Sequence, residues 1–394
     1  VLTAQRPAPG VRARPTGPPV WRHLDVLLVV TVVIIAAFGA LMVYSSTRVP
    51  LQTAGISPTY YLYKQVVFIA LGIVVMFVLA AIDYRHFRDW APYLYGVSLL
   101  LLIAVFGVGT RVKGAQAWFQ VGPYQLEPSE FAKIALILAV SAYAARFKGR
   151  LPARALVAIV ALAIVPFALI FKQPDLGTAL VLSAVLITVV MIAGASLRQL
   201  FLLALVAVIG MVGIVELGVL HKYQVARLAS FVSTPDKVSA KILADRTNTQ
   251  AANEYNVVKS KDAISNGGLT GTGLYKGAST NLSQVPEQHT DFIFSAAGEQ
   301  VGLVGCVVLL ALFLLVMWRT WMAATLSRDL FGTLVCVGVL AMLLFQVFEN
   351  IGMTMGIMPV AGIPLPWMSY GGSAVLVEFA AVGLVLSVRM RRFT

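Results

Sequence analysis

The sequence predicts an all-α integral membrane protein of ten transmembrane helices, with a large extracytoplasmic loop between the seventh and the eighth. Three observations carry that prediction. Of 394 residues, 59% are hydrophobic and only 12% charged, with a mean hydropathy of +0.85, whereas soluble domains average about 25% charged residues. The apolar residues gather into runs of about 20, the length a helix needs to cross the hydrocarbon core. One long polar stretch, 220–297, stands apart in a chain otherwise made of short connectors.

Taken in order, the runs lie near 25–44, 65–82, 91–109, 130–146, 153–171, 176–194, 198–219, 298–318, 330–353 and 374–390. The fourth is short and the fifth contains Pro166, which a membrane helix tolerates where neighbours re-satisfy its backbone. Residues 1–24, rich in Pro, Gly and Arg, read as a disordered basic cytoplasmic tail. The first apolar run is long enough to span and is followed by no small-residue cleavage pattern, so no signal peptide is expected. Residues 25–394 form the expected membrane domain.

Orientation follows from Lys and Arg in short loops, which stay on the cytoplasmic side. With the N-terminus inside, the cytoplasmic segments, among them those with Arg85, Arg88, Arg146, Arg150 and Arg198, hold sixteen, against five in the short outer loops: Arg48, Lys64, Arg111, Lys113 and Lys172. Both termini are therefore expected in the cytoplasm. This scatter accounts for the net charge of +13 and forms no single basic face, which argues against nucleic acid. Cys306 and Cys336 both lie in apolar runs and suggest no disulfide framework.

The stretch Pro286-Glu287-Gln288-His289-Thr290-Asp291-Phe292-Ile293-Phe294 places a carboxylate at the mouth of the eighth span. A partly desolvated Asp291 there suits a general base; alternatively Thr290 and Asp291 simply cap the helix. His289 is either functional or an interfacial histidine, with no second histidine at metal-ligand spacing. A second cluster joins Lys113-Gly114-Ala115-Gln116-Ala117-Trp118 to Pro128-Ser129-Glu130-Phe131-Ala132-Lys133. Glu130 and Lys133 are i, i+3 neighbours able to pair, either at a functional site, the default for charges at membrane depth, or as a structural ion pair. Trp118 is an interfacial anchor or a stacking surface for a sugar ring. Two further segments break the helical pattern, Lys172 to Thr178 through Pro174 and Asp175, and Pro359 to Ser373 through Pro364, Pro366, Gly371 and Gly372. Irregular backbone is tolerated near a membrane only against protein or a water-filled cavity, so both point to a lined cavity on the outer side. Glu349, Asn350 and Glu378 strengthen that inference, although either carboxylate can also serve helix packing.

These motifs together resemble the SEDS family of bacterial cell-shape, division and sporulation proteins, and most of all its elongation member. The matching residues are Lys113-Gly114-Ala115-Gln116 with Trp118, Pro128-Ser129-Glu130 with Lys133, Gln173-Pro174-Asp175-Leu176-Gly177-Thr178, Gly267-Gly268-Leu269 with Gly271 and Gly273, Pro286-Glu287 with His289-Thr290-Asp291-Phe292-Ile293-Phe294, and Gly362-Ile363-Pro364-Leu365-Pro366 with Ser369-Tyr370-Gly371-Gly372-Ser373. They span nearly the whole chain after the tail. One departure is the charged stretch Thr234 to Arg246, longer than the family pattern.

The resemblance implies a peptidoglycan glycosyltransferase in the bacterial cytoplasmic membrane that polymerises lipid II into β-1,4 glycan strands at the outer face. It implies a class B penicillin-binding protein as crosslinking partner and a divalent cation, Mg or Mn, with no organic cofactor. Asp291 takes the place of the family's essential acidic residue. Lys113, Trp118, Glu130, Lys133, Asp175, His289 and Ser373 make up the expected substrate-binding set. Three other readings compete: the division paralogue, a flippase for the same lipid, and a structural scaffold for the partner synthase. The stretch Tyr255 to Lys261 and Gly362-Ile363-Pro364 favour elongation. The partner's membrane helix is expected against the eighth and ninth helices, where Gly302, Gly305, Gly332 and Gly338 would allow close approach.

Overall fold

A computed structural model describes residues 20–112, 115–122, 124–216 and 249–392. Its long helices are α1 Val26–Thr53, α2 Tyr60–Ala81, α3 Tyr84–Val108, α4 Pro128–Ala144, α5 Ala153–Lys172, α6 Leu176–Ile192, α7 Leu197–Glu216, α8 Thr249–Gly267, α9 Ile293–Thr325, α10 Leu330–Thr354 and α11 Gly372–Met390. A helix covers each of the ten apolar intervals, and α8 is an additional one inside the long polar stretch. Seven helices, α1, α2, α3, α5, α9, α10 and α11, are long and apolar enough to cross a bilayer; α6 and residues 197–210 of α7 are apolar but shorter. Helix α4, at 17 residues, carries Glu130 and Lys133.

The burial pattern sorts the helices into layers. The apolar window of α11 is 94% buried and that of α10 72%, against 22% for α2 and α3. Helices α10 and α11 are thus the centre of the bundle, and the exposed apolar faces outside them suit lipid. At one end of the bundle Asp25 caps α1, accepting from Leu28 N at 3.2 Å, and pairs with Arg319 at 2.8 Å and Arg389 at 2.7 Å. One buried carboxylate thereby ties the start of α1 to the ends of α9 and α11.

The fold corrects the sequence expectation in three places. The chain is not purely helical: Thr110–Val112, Ala115–Val121 and Tyr124–Leu126 form a three-stranded antiparallel sheet, β1-β2-β3, between α3 and α4. Its period-2 pattern, Gln116, Trp118 and Gln120 alternating with Ala117, Phe119 and Val121, is short and is overshadowed by the long apolar runs on either side. The eighth span begins at Ile293 and contains a break at Gly302, whose φ of +65° lies in the left-handed region. There the Gly-rich stretch replaces the helix's own partners: Thr272 N and Gly273 N donate to Glu299 O and Gln300 O, while Leu303 N and Val304 N donate to Gly268 O and Leu269 O, at 2.9–3.1 Å. These four bonds re-satisfy backbone groups that the break takes from the helix ladder, the condition under which a membrane helix can be interrupted.

The third correction concerns the glycines expected to receive a partner helix. A Cβ on Gly338 would meet Ile137 of α4 and Val189 of α6, one on Gly332 would meet Ser327 and Tyr84, and one on Gly302 would meet Gly271 and Leu269. Gly302, Gly332 and Gly338 thus serve packing within the bundle, whereas the atoms nearest Gly305 belong to Val301 of its own helix. The sequence also predicts a continuous loop over 220–297; of it, residues 220–248, including Thr234 to Arg246, lie outside the described residues, and 249–267 is helical.

Candidate active site

At the end of the bundle opposite Asp25 lies a cavity of about 950 Å³. Its walls come from the starts of α2, α4, α6 and α11, from the small sheet, from the turn before α9, and from the segment 361–374. Trp118, Glu130, Lys133, Asp175, His289, Asp291 and Ser373 all line it. Lys113 lies outside the described residues.

The segment after α10 shapes the floor. Residues 359–371 carry Pro359, Pro364 and Pro366, which cannot extend a helix, and the chain runs back into the bundle. A Cβ on Gly39, midway along α1, would lie 2.5 Å from Met368 Cα and 2.7 Å from Trp367 O, so only glycine admits this approach. Trp367 is fully buried, and its N–H donates to Glu378 Oε2 at 2.6 Å. Glu378 thus satisfies a backbone donor that no helix supplies with a partner.

The turn holding Asp291 is pinned by three successive carbonyls. His289 O accepts from Tyr370 N at 2.9 Å, Thr290 O from Ser369 Oγ at 2.6 Å, and Asp291 O from Asn350 Nδ2 at 2.7 Å. Asn350 Nδ2 also donates to Ile363 O at 2.7 Å, joining the turn to the floor. Beneath, Gln288 Nε2 donates to Ser46 O and Thr280 O at 2.7 and 2.8 Å. The N-cap position of α9 is Phe292, which makes no side-chain cap hydrogen bond, and Asp291 stands one residue before it.

Glu130 and Lys133 form the expected pair, with Nζ to Oε2 at 2.7 Å. Asp175 caps α6, accepting from Thr178 N at 3.0 Å through Oδ1, while its Oδ2 is buried without a hydrogen-bond partner. On the aromatic side Tyr61 packs against His289 and Tyr370, each at 4.9 Å between centroids. Burial and the nearby tyrosine hydroxyls push Tyr370 up to about 12, so it remains a neutral phenol at working pH. Lys64 Nζ lies 4.3 Å from the Tyr60 ring centroid and donates to Tyr60 Oη at 2.7 Å.

Sequence reasoning missed Glu127. Its Oε2 accepts from Trp118 Nε1 at 3.1 Å, its Oε1 from Ser129 Oγ at 3.0 Å, and its N–H donates to Ser373 Oγ at 2.9 Å. Burial foremost, then the charges of Asp175 and Glu130, push its carboxyl up to about 8, against the opposing pull of Ser129 and Lys133. Its place directly before Pro128-Ser129-Glu130 was the available signal.

Among the described residues no three His, Cys, Asp or Glu side chains converge to hold a metal. A hard divalent cation that takes one or two carboxylates and keeps most of its water needs fewer protein ligands than that. The unpartnered Asp175 Oδ2 is an oxygen of the right kind for it.

A family model described as a cell cycle protein, FtsW/RodA/SpoVE, matches residues 25–393. The peptidoglycan glycosyltransferase MrdB of Escherichia coli (strain K12) is 35% identical over 370 residues, covering 94% of each chain. Two solved structures share the fold. A chain from a study of the structural coordination of polymerization and crosslinking by a peptidoglycan synthase complex has a TM-score of 0.75 at 33% identity, covering 94% of this chain and 99% of that one. The rod shape determining protein RodA of Thermus thermophilus has a TM-score of 0.68 at 31% identity, covering 95% and 100%.

Proposed function

Because the chain belongs to the FtsW/RodA/SpoVE family of cell cycle proteins and is a peptidoglycan glycosyltransferase, we propose that it polymerises lipid II at the outer face of the bacterial cytoplasmic membrane, for cell elongation. One observation carries this reading: Trp118, Glu130, Lys133, Asp175, His289 and Tyr370 of the motifs converge on one cavity around the pinned Asp291 turn. All ten helices that cover apolar intervals cross the bilayer in this reading. The arginine-bearing connectors, such as those with Arg85, Arg146 and Arg198, lie at the end opposite the cavity, which supports a cytoplasmic location for them and for both termini.

The chemistry follows from the substrate. A sugar hydroxyl attacks the anomeric carbon of a lipid-diphosphate-linked sugar; the new C–O bond forms as the bond to phosphate breaks, and the diphosphate carries off the electron pair. Asp291 accepts the hydroxyl proton. One displacement converts the α-linked donor to a β-linked product, so a single base suffices, unlike the paired carboxylates of retaining glycosidases. Lys133 and Lys64 bring positive charge to the cavity wall, where it opposes charge developing on the diphosphate. Asp175 and Asp291 are the carboxylates that would hold a divalent cation, Mg or Mn, which when bound supplies further positive charge against the departing diphosphate.

The synthase complex among the similar structures supports a class B penicillin-binding protein as the partner that crosslinks the strands. Purified full-length chain, with that partner, is expected to convert fluorescent lipid II into long glycan strands. Translocation of lipid II across vesicles without strand formation would instead favour the flippase.

A further inference from the structure

The sheet register brings two residues of the cavity face to face. Strands β2 and β3 pair Val121 with Tyr124, Gln120 with Gln125 and Phe119 with Leu126. Continued by one step, that register sets Glu127 opposite Trp118, and the two side chains meet there in the 3.1 Å hydrogen bond from the indole N–H. The other edge of β2 holds the same residue, since Thr110 pairs with Trp118 and its Oγ1 donates to Trp118 O at 3.1 Å. Trp118 is therefore fixed by its backbone on one side and by its ring nitrogen on the other.

We propose that Glu127 is a positioning residue, which holds the Trp118 indole in the cavity wall as the platform on which a sugar ring of the substrate stacks. The proposal rests on reading the cavity as a glycan polymerase site. An indole offers one donor and no acceptor, and a half-buried indole usually finds a partner for it. Both Glu127 oxygens are engaged by protein groups, one by Trp118 and one by Ser129. A carboxyl so committed acts through its neighbour, which separates its role from that of Asp291. Its backbone donates to Ser373 Oγ at the start of α11, so the same residue sets the platform against a second wall. With the carboxyl pushed up to about 8, the group is mostly neutral at pH 7. A neutral acid still accepts the indole proton through its carbonyl oxygen, as a carboxamide does, and this predicts which substitution is tolerated.

The test compares the full-length wild type with E127A, E127Q and W118F, bound to the partner synthase for kinetics and in detergent for spectroscopy. Nitrogen-15 labelling reports each indole N–H, and the Trp118 resonance is the one missing from W118F. E127A should move or broaden that resonance and raise the KM for lipid II about tenfold, the equivalent of one lost interaction of ordinary strength, while kcat changes less. E127Q should keep the resonance near its place and the KM near that of the wild type. E127A and W118F together should raise KM no more than W118F alone. An unmoved Trp118 resonance in E127A, or KM effects that multiply in the double variant, overturns the proposal. If E127A does not fold, Glu127→Met, which fills the volume and cannot accept as a carboxyl does, replaces it. A wild type unable to polymerise lipid II sinks the polymerase reading, and with it the platform's role, while the resonance alone still reports whether Glu127 holds the ring.

Discussion

Lys133 Nζ lies 2.7 Å from Glu130 Oε2, with 1% and 5% of the two side chains exposed, so one turn of α4 carries a closed charge pair into the wall of the cavity. Removing one member of such a buried pair destabilises by about 3–5 kcal/mol, because the other is left uncompensated. The two halves are not equivalent here. Lys133 also faces the field of Glu127, so Lys133→Met leaves Glu130 uncompensated beside a second carboxyl group, whereas Glu130→Gln removes one of the charges that keep Glu127 protonated and lets it ionise beside the lone cation. We expect Lys133→Met to lower the melting temperature more than Glu130→Gln, and the double variant to lose less than the sum. Thermal unfolding of the four proteins reads this directly, and strict additivity would show that the pair is uncoupled.

Asp291→Asn and Asp291→Ala should leave the chain folded and reduce polymerisation by about 10² to 10⁴, the usual contribution of a general base. The backbone carbonyls of Thr290 and Asp291 are pinned by Ser369 and Asn350, so melting temperatures should stay near that of the wild type. Strand synthesis at the wild-type rate by a folded Asn variant would remove Asp291 from the chemistry.

At the other end, Asp25 compensates Arg319 and Arg389. Asp25→Asn strands two cations, one of them 8% exposed, and should cost stability on the order of 3–5 kcal/mol. The site lies at the far end of the bundle, so the specific activity of the folded fraction should be retained. A loss of turnover without a drop in melting temperature would contradict this division of labour.

Glu127 gives a pH signature. Its folded carboxyl titrates at about 8 against an unperturbed value of 4.5, so between those values the native state binds a proton that the unfolded chain has released. Stability contributed by this group is full below about 4.5 and is lost as pH rises through about 8. In metal-free buffer the wild-type melting temperature should therefore fall from pH 6 to 9, and that of Glu127→Gln should fall less. Parallel curves would mean that the carboxyl is already charged at pH 6.

The helices and much of the site were legible because membrane proteins write both in contrast: long apolar runs stand out, and so do charges such as Glu130, Lys133 and Asp291 beside them. The unread parts lack that contrast. Glu127 sits in a polar connector, where a carboxylate attracts no notice until the strand register places it against Trp118. The proline-rich segment announced irregular backbone, yet only the approach to Gly39 shows how deep it reaches. Gly332 and Gly338 are small residues on apolar helices, and sequence cannot say which neighbour they admit; here it is the bundle itself.

The break at Gly302 also bears on how the chain is assembled. The amides of Leu303 and Val304 find their acceptors on Gly268 and Leu269, 35 residues earlier. Hydrocarbon supplies no substitute acceptor, so α9 cannot settle into the bilayer by itself in its final form. It must either insert as an unbroken helix and be opened later, or arrive with the glycine stretch already docked. Biogenesis of this region is therefore that of a joined pair, and a ribosome-stalled chain ending soon after α9 already contains both halves of the clasp.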